Sequence, residues 1–374
     1  MKVAVFCPIG IEDILKKEIL ELTGKEAAQN KGICIVDLEE QEFVKLAYMS
    51  QSSERIGLLI KQGKVKDKCP TSLNIDNVNL SHIKEKFSIN AKVFGSMPFN
   101  SVDVVTELSE KIKKKTDKIP IYRNADTKYY CYVFDEDYYL ILDITTKDLT
   151  KRDYKVFVNK ISLRGTIAYA VMRIADIQEN DFVLDPFSRG GEIALEGMHY
   201  FMKKSLHYYG KERFDFRKLD ITPDYDSIDK EVIENPNITI YATDSKMPNI
   251  KAAEKNAKIA GMNKQVNFSR LVIEDLDFKF DKNVTKIVTH LPAVGQHTEK
   301  GVLKLYKSFF NIANIVLKEK GTITCIGVKI TPARKIAEEL GFKLIHERNI
   351  MQGKENLKLY ILKLNDKIDN NAQE

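Results

Sequence analysis

Residues 185–192 read Asp-Pro-Phe-Ser-Arg-Gly-Gly-Glu (DPFSRGGE). They follow the apolar run Phe182-Val183-Leu184 and precede an apolar-periodic segment from Ile193 to Met198. A strand that ends on an aspartate and turns through glycines into a helix is a common cradle for a nucleotide-like cofactor. The glycines let backbone approach the ligand, and the helix N-terminus faces it. In this chain an arginine, Arg189, stands inside the turn.

Outward from that turn, strand and helix patterns alternate. SLRGTIAYAVMRIADI reads as a helix. It is followed by DFVLD, EIALEGMHYFM, ITIYATD, NIKAAEKNAKIAG, VNFSRLVI, KIVTHLP, LYKSFFNIANIVLK, GTITCIG, PARKIAEELG, FKLIHERNI and LKLYILKL. Such alternation predicts a mostly parallel, Rossmann-like seven-stranded sheet with helices on both faces, over residues 156–365. The last two strands are separated by only a short break, so they pair antiparallel. Residues 203–237, rich in Asp, Lys and Tyr, interrupt the alternation as an insertion. The polar tail, residues 366–374, reads as disordered.

The N-terminal part has a different rhythm. MKVAVFC alternates into a strand that Pro8 and Gly10 break, and IEDILKKEILEL has helical period. GICIVDL, EEQEFVKLAYMS and RIGLLIKQGKV complete a β-α-β-α-β order over residues 1–66, an α+β unit of ferredoxin-like character. Residues 67–155 form a second α+β piece. In it HIKEKF is a short helix, NAKVFGSMPF is extended, and SVDVVTELSEKIKKKT is an amphipathic helix capped by Ser101 or Asp103. KYYCYVFDEDYYLILDITTKDL is two strands joined at Asp135-Glu136-Asp137. Lysines gather at Lys111, Lys113, Lys114, Lys115 and Lys118, and again with Arg152 at Lys147, Lys151 and Lys155.

Composition sets the outer bounds. The chain has 374 residues, 43% hydrophobic and 30% charged, with a net charge of +6. That suits a soluble multi-domain protein and is compatible with a polyanionic partner. Five scattered cysteines form neither a CxxC pair nor a cluster with zinc spacing, so reduced thiols and no metal site are expected. No signal peptide and no run long enough to span a bilayer is read, which points to the cytoplasm. Tryptophan is absent, so any base-stacking plane comes from Phe or Tyr.

Ligands of an open α/β sheet bind at the carboxyl ends of its strands. Three ends matter here: VLDPFSRGGE, IYATDSK and KIVTHLPAVG. Asp244, closing the second, is placed to accept hydrogen bonds from ribose hydroxyls; it is equally placed to cap the following helix.

The order DPF…GG…E, then ATD…A..NA..AG, then LP..G resembles the S-adenosylmethionine-dependent tRNA guanine-N2-methyltransferases that carry a THUMP domain. The closest likeness is to the type that modifies the acceptor-stem guanosine at position 6. DLTKRDYKV…LRGTIAYAVMRIA resembles the linker and entry helix of that family, and LYKSFFNIANIVLKEKGTITCI a later helix and strand. The resemblance implies a ferredoxin-like piece and a THUMP RNA-binding domain in the first 155 residues, S-adenosylmethionine as cofactor, tRNA as partner, and a monomer. It places Asp185, Pro186, Ser188, Gly190, Gly191, Asp244 and Asp275 around the cofactor, and His290, Leu291 and Pro292 at the reacting base. Lys111, Lys114, Lys115, Lys151 and Arg152 are the implied RNA contacts.

Four positions depart from the family pattern, D-P-x-C-G-S-G-T at the turn and N-P-P-Y or N-L-P-Y at the fourth strand. Arg189 stands for the first glycine; its side chain folds outward, or Gly190 takes the bend, or the arginine fills the cofactor site, and Glu192 is its candidate partner. Val272 stands where an aspartate meets the adenine amine, with Glu274 and Asp275 just beyond. His290 stands for the asparagine that accepts an N–H of the guanine amine, a role that a neutral imidazole can fill, or it is a strand-end histidine without chemistry. Ala293 cannot stack on a base, which leaves His297 or Tyr306 to supply a plane. Three readings follow: a tRNA methyltransferase, a retired methyltransferase that keeps RNA binding, and a pocket in which Arg189 holds a different, anionic ligand.

Overall fold

The structure is a computed structural model describing residues 1–122, 124–145, 147–157, 161–295 and 298–365. The chain divides into two compact units, each assembled from separate stretches of sequence. The expected tail, residues 366–374, lies outside the described residues, as does His297.

The first unit takes Met1–Cys7, Leu15–Leu149 and His207–Lys230. Its elements begin β1 (Lys2–Phe6), α1 (Glu12–Thr23), β2 (Ala28–Asn30), β3 (Ile33–Asp37), α2 (Glu40–Met49) and β4 (Arg55–Lys64). They continue with β5 (Lys86–Phe94), α3 (Ser101–Thr116), β6 (Ile119–Pro120), β7 (Thr127–Phe134) and β8 (Asp137–Asp143). The strands form a single eight-stranded sheet in the order β2-β3-β1-β4-β8-β7-β5-β6, so both α+β pieces read in the sequence share one sheet. Leu73, Phe87, Leu108, Tyr129 and Leu140 pack its core.

Two local expectations are corrected here. HIKEKF is not a helix: β5 begins at Lys86 because Phe87 and Ile89 alternate into the core. The cap of α3 is Asn100, whose side chain accepts from the Val102 N–H, while Asp103 reaches back to the Asn100 N–H.

The second unit takes Pro8–Ile14, Thr150–Leu206 and Glu231–Glu374. It opens with α4 (Gly165–Ile174), β9 (Phe182–Asp185) and α5 (Glu192–Phe201). After the excursion to the first unit come β10 (Thr239–Asp244), α7 (Met247–Ala260), β11 (Val266–Arg270), α8 (Leu276–Lys279) and β12 (Val284–His290). The chain then runs through α9 (Glu299–Val316), β13 (Leu317–Gly327), α10 (Thr331–Glu339), β14 (Phe342–Gln352) and β15 (Glu355–Leu364). The sheet order is β11-β10-β9-β12-β13-β15-β14. Strands β9 to β13 pair in parallel, while β15 is antiparallel to both its neighbours. The expected seven-stranded, mostly parallel sheet is therefore present. Its direction of chain progress reverses between β9 and β12, and at that switch the crevice for a ligand opens. Leu184, Ile287, Phe310, Ile323 and Tyr360 fill one core layer.

The segment read as an insertion has a home. Residues 207–230, including α6 (Tyr225–Asp229), belong to the first unit, where they pack on α2. The Tyr48 hydroxyl lies 2.9 Å from Asp229 Oδ1, Gln41 Nε2 donates to the Thr222 carbonyl, and Phe216 meets Phe43 edge-on. Among the described residues no helix is long and apolar enough to cross a membrane.

Candidate active site

The site is built from the carboxyl ends of β9, β10 and β12. β9 pairs with both of the others, so Asp185, Asp244 and His290 come to neighbouring strand ends. Asp185 is buried; Oδ1 accepts the Thr289 hydroxyl at 2.6 Å and the Phe187 N–H at 3.2 Å. Burial raises its carboxyl to about 7, against the lowering pull of those two donors and of Arg189. At Asp244, Oδ1 accepts the Lys246 N–H, and Oδ2 accepts the Arg189 N–H and the Asn249 side-chain amide. Three donors already hold the carboxylate that would face a ribose.

Of the alternatives open in the sequence for the turn after β9, the structure takes the one in which Arg189 turns inward. Gly190 does not take the bend. Arg189 itself is left-handed, at φ 48°, and Gly191 follows at φ 80°. A non-glycine residue there costs about 1–3 kcal/mol. The Arg189 side chain does not fold outward either: Nη1 donates to the His290 carbonyl at 2.7 Å, crossing the crevice from the end of β9 to the end of β12. Glu192 is not its hydrogen-bond partner. Glu192 Oε1 lies 3.2 Å from Lys155 Nζ. Burial lowers the Arg189 pKa, and Asp185, Glu192 and Asp244 oppose that shift.

His290 is buried at the end of β12. Desolvation, then the charges of Arg189 and Lys155, hold its imidazole far below its ordinary range, so it is neutral at physiological pH. Among the described residues its ring makes no hydrogen bond, which leaves a nitrogen to accept one. Leu291 is core: its side chain packs among Leu184, Ile287 and Ile323, and its N–H bonds the Ile326 carbonyl. The Pro292 carbonyl accepts the Tyr306 hydroxyl. Tyr306 is fully buried, which corrects the expectation that its ring offers a stacking plane.

Elsewhere the expected residues fare unevenly. Pro186 and Ser188 are buried in the turn, Ser188 N–H bonding the Thr243 carbonyl. The Gly190 carbonyl accepts from Asn256 Nδ2 at 3.0 Å. Val272 and Asp275 are exposed on a turn bordering Asp244, where the Leu271 N–H meets the Asp244 carbonyl. Arg152 is corrected outright. It is buried in an ion pair with Glu196, Nε to Oε1 at 2.8 Å, and cannot reach a phosphate. Lys111 is held by the carbonyls of Thr71 and Leu73 and by Glu107; Lys115 is held by the Ile75 carbonyl and Asp76. Lys114 and Lys151 are exposed.

Two contributors were not singled out from sequence, Asn256 and Thr289, and Lys155 was read only as a member of a basic cluster. Asn256 ties Gly190 to Phe157, accepting the Phe157 N–H and donating to its carbonyl, both at 3.0 Å. Its signal was the NA in the A..NA..AG pattern.

A seven-stranded sheet of this order, with an acidic strand end on each side of a glycine turn, defines a methyltransferase domain. The chain belongs to the UPF0020 family, described as RMKL-like, methyltransferase domain, whose model matches residues 152–358. The tRNA (guanine(6)-N2)-methyltransferase of Methanocaldococcus jannaschii is 27% identical over 366 residues, covering 92% of this chain and 95% of that protein. The enzyme so named in Archaeoglobus fulgidus is 22% identical over 92% of this chain and 87% of its own. The crystal structure of TrmN from Thermus thermophilus shares the fold at a TM-score of 0.72 and 20% identity, covering 97% of this chain and 99% of that one. SMU.472, complexed with SAH, shares it at 0.78 and 16%, covering 96% and 97%.

S-adenosylmethionine is the cofactor of the class. Asp185 and Asp244, at neighbouring strand ends, are the residues that would hold its nucleoside. Arg189 lies across the crevice between the ends of β9 and β12, its guanidinium on the His290 carbonyl and its N–H on Asp244, and sets a fixed cation beside any cationic ligand bound there.

Proposed function

We propose that the protein binds tRNA and serves the reaction named for its archaeal relatives, methylation of the N2 amine of the acceptor-stem guanosine at position 6. Support comes from those relatives, matched over nearly their full length, and from one feature of the site. His290 presents a neutral imidazole with an unspent nitrogen at the strand end where the class carries an amine-accepting asparagine. A guanine amine is a poor nucleophile because its lone pair is delocalised. An acceptor that fixes one N–H orients that lone pair, and orientation is most of what catalysis needs here. The first unit, which holds most of the ferredoxin-like piece (residues 1–66) and THUMP domain (67–155) read in the sequence, would grip the RNA chiefly through phosphates. Lys114 of that unit, and Lys151 just beyond it in the chain, are the exposed candidates. The setting is cytoplasmic and the protein a monomer.

Mobility shifts of tRNA transcripts over a salt series test the partner; affinity that falls steeply with salt is expected, and none at low salt would sink the proposal. Transfer of labelled methyl groups to tRNA tests the chemistry. His290→Ala should lose roughly 100-fold and His290→Asn should retain activity. A second reading is RNA binding without methyl transfer. The Arg189 bridge to the His290 carbonyl favours it.

A further inference from the structure

We propose that Arg189 takes, within this chain, the place of the cationic end of the methyl donor, so that the strand-end crevice is self-occupied and closed to S-adenosylmethionine and S-adenosylhomocysteine. The inference rests on the second reading above and supplies its cause.

Backbone, reach and charge converge on it. The left-handed backbone of Arg189, at φ 48°, is kept although glycines follow at 190 and 191. The side chain spans both lips of the crevice at the sheet's switch point, from the turn after β9 to the carbonyl of His290 at 2.7 Å. Three acids, Asp185, Glu192 and Asp244, act on its charge. The guanidinium already stands in the field of those acids, and a sulfonium added beside it would meet a like charge. The Arg189 N–H also engages Asp244, together with Lys246 and Asn249, so backbone and side chain of one residue occupy two parts of a single site.

Calorimetric titration of the full chain with each of the two ligands, up to millimolar concentration, tests this. The parent should give no saturable heat. Arg189→Gly, which removes both the side chain and the backbone penalty, and Arg189→Ala, which removes the side chain alone, should each bind S-adenosylhomocysteine at least about tenfold more tightly. Arg189→Met keeps length without charge. It should still exclude the ligand if bulk dominates, or admit it weakly if charge does; either result supports occupation when the two smaller variants bind. Parent-like thermal melting qualifies each variant.

Micromolar binding by the parent, or no gain in folded Gly and Ala variants, would overturn the inference. The failures separate. If the parent methylates tRNA at a rate unchanged by the Arg189 substitutions, the second reading and this inference fall together. If there is no transfer but the parent binds S-adenosylhomocysteine well, only this inference falls.

Discussion

Asp185 carries its chemistry in its burial. Its carboxyl is raised to about 7, above the ordinary value of 3.8, so folding favours its protonated form. A raised folded pKa gives stability that is full below the unfolded value and lost as pH rises through the folded one. Relative to Asp185→Asn, the parent should therefore lose stability between about pH 4 and 7, at up to about 1.4 kcal/mol per pH unit. Urea melts across that range would show it, and parallel profiles for the two proteins would contradict it. His199 has the opposite sign. Burial lowers it to about 4, so its contribution is present above about 6.5 and is lost on acidification. Between pH 6.5 and 4 the two trends oppose each other, and Asp185→Asn should expose the histidine's.

Helices α4 and α5 lean on one ion pair. Arg152 and Glu196 are fully buried, Tyr154 donates to the same carboxylate at 2.7 Å, and Glu196 is held below its ordinary range by Arg152 despite its burial. Removing one partner leaves an uncompensated buried charge. Arg152→Ala should cost about 3–5 kcal/mol in a denaturant melt, more than a surface lysine such as Lys114→Ala, which should cost under about 0.5. Gly165 sits against both partners; a Cβ there would meet Arg152 Nε and come 2.6 Å from Glu196 Oε1, so Gly165→Ala should also destabilise.

That pair marks a limit of reading by sequence. The alternation of strands and helices was legible because periods of 2 and 3.6 are local. The partner of Arg152 lies 44 residues away and leaves no local trace, so the arginine passed for a phosphate contact. At the cofactor turn, Arg189 was visible as a departure. Its direction was not, because a backbone torsion and a carbonyl 101 residues on decide it.

Neither compact unit is contiguous in the chain. The first is finished by residues 207–230, which strand-and-helix reading could describe only as an interruption, since their apolar partners Phe43 and Tyr48 lie far upstream. Phe216→Ala empties a fully buried ring site and should cost about 3–5 kcal/mol. Hydrogen exchange should show the loss at α2, within the first unit; unchanged protection there would argue against this packing.

The order of strands in the second sheet also fixes an order in time. β15, last of the strands to be synthesised, lies between β13 and β14 and hydrogen-bonds to both. Until it leaves the ribosome β14 has no partner, and β13 shows an open edge ready to pair with any extended chain it meets. A nascent chain halted before Glu355 therefore carries two unpaired strand edges, and prematurely terminated copies should be found with chaperones or in aggregates.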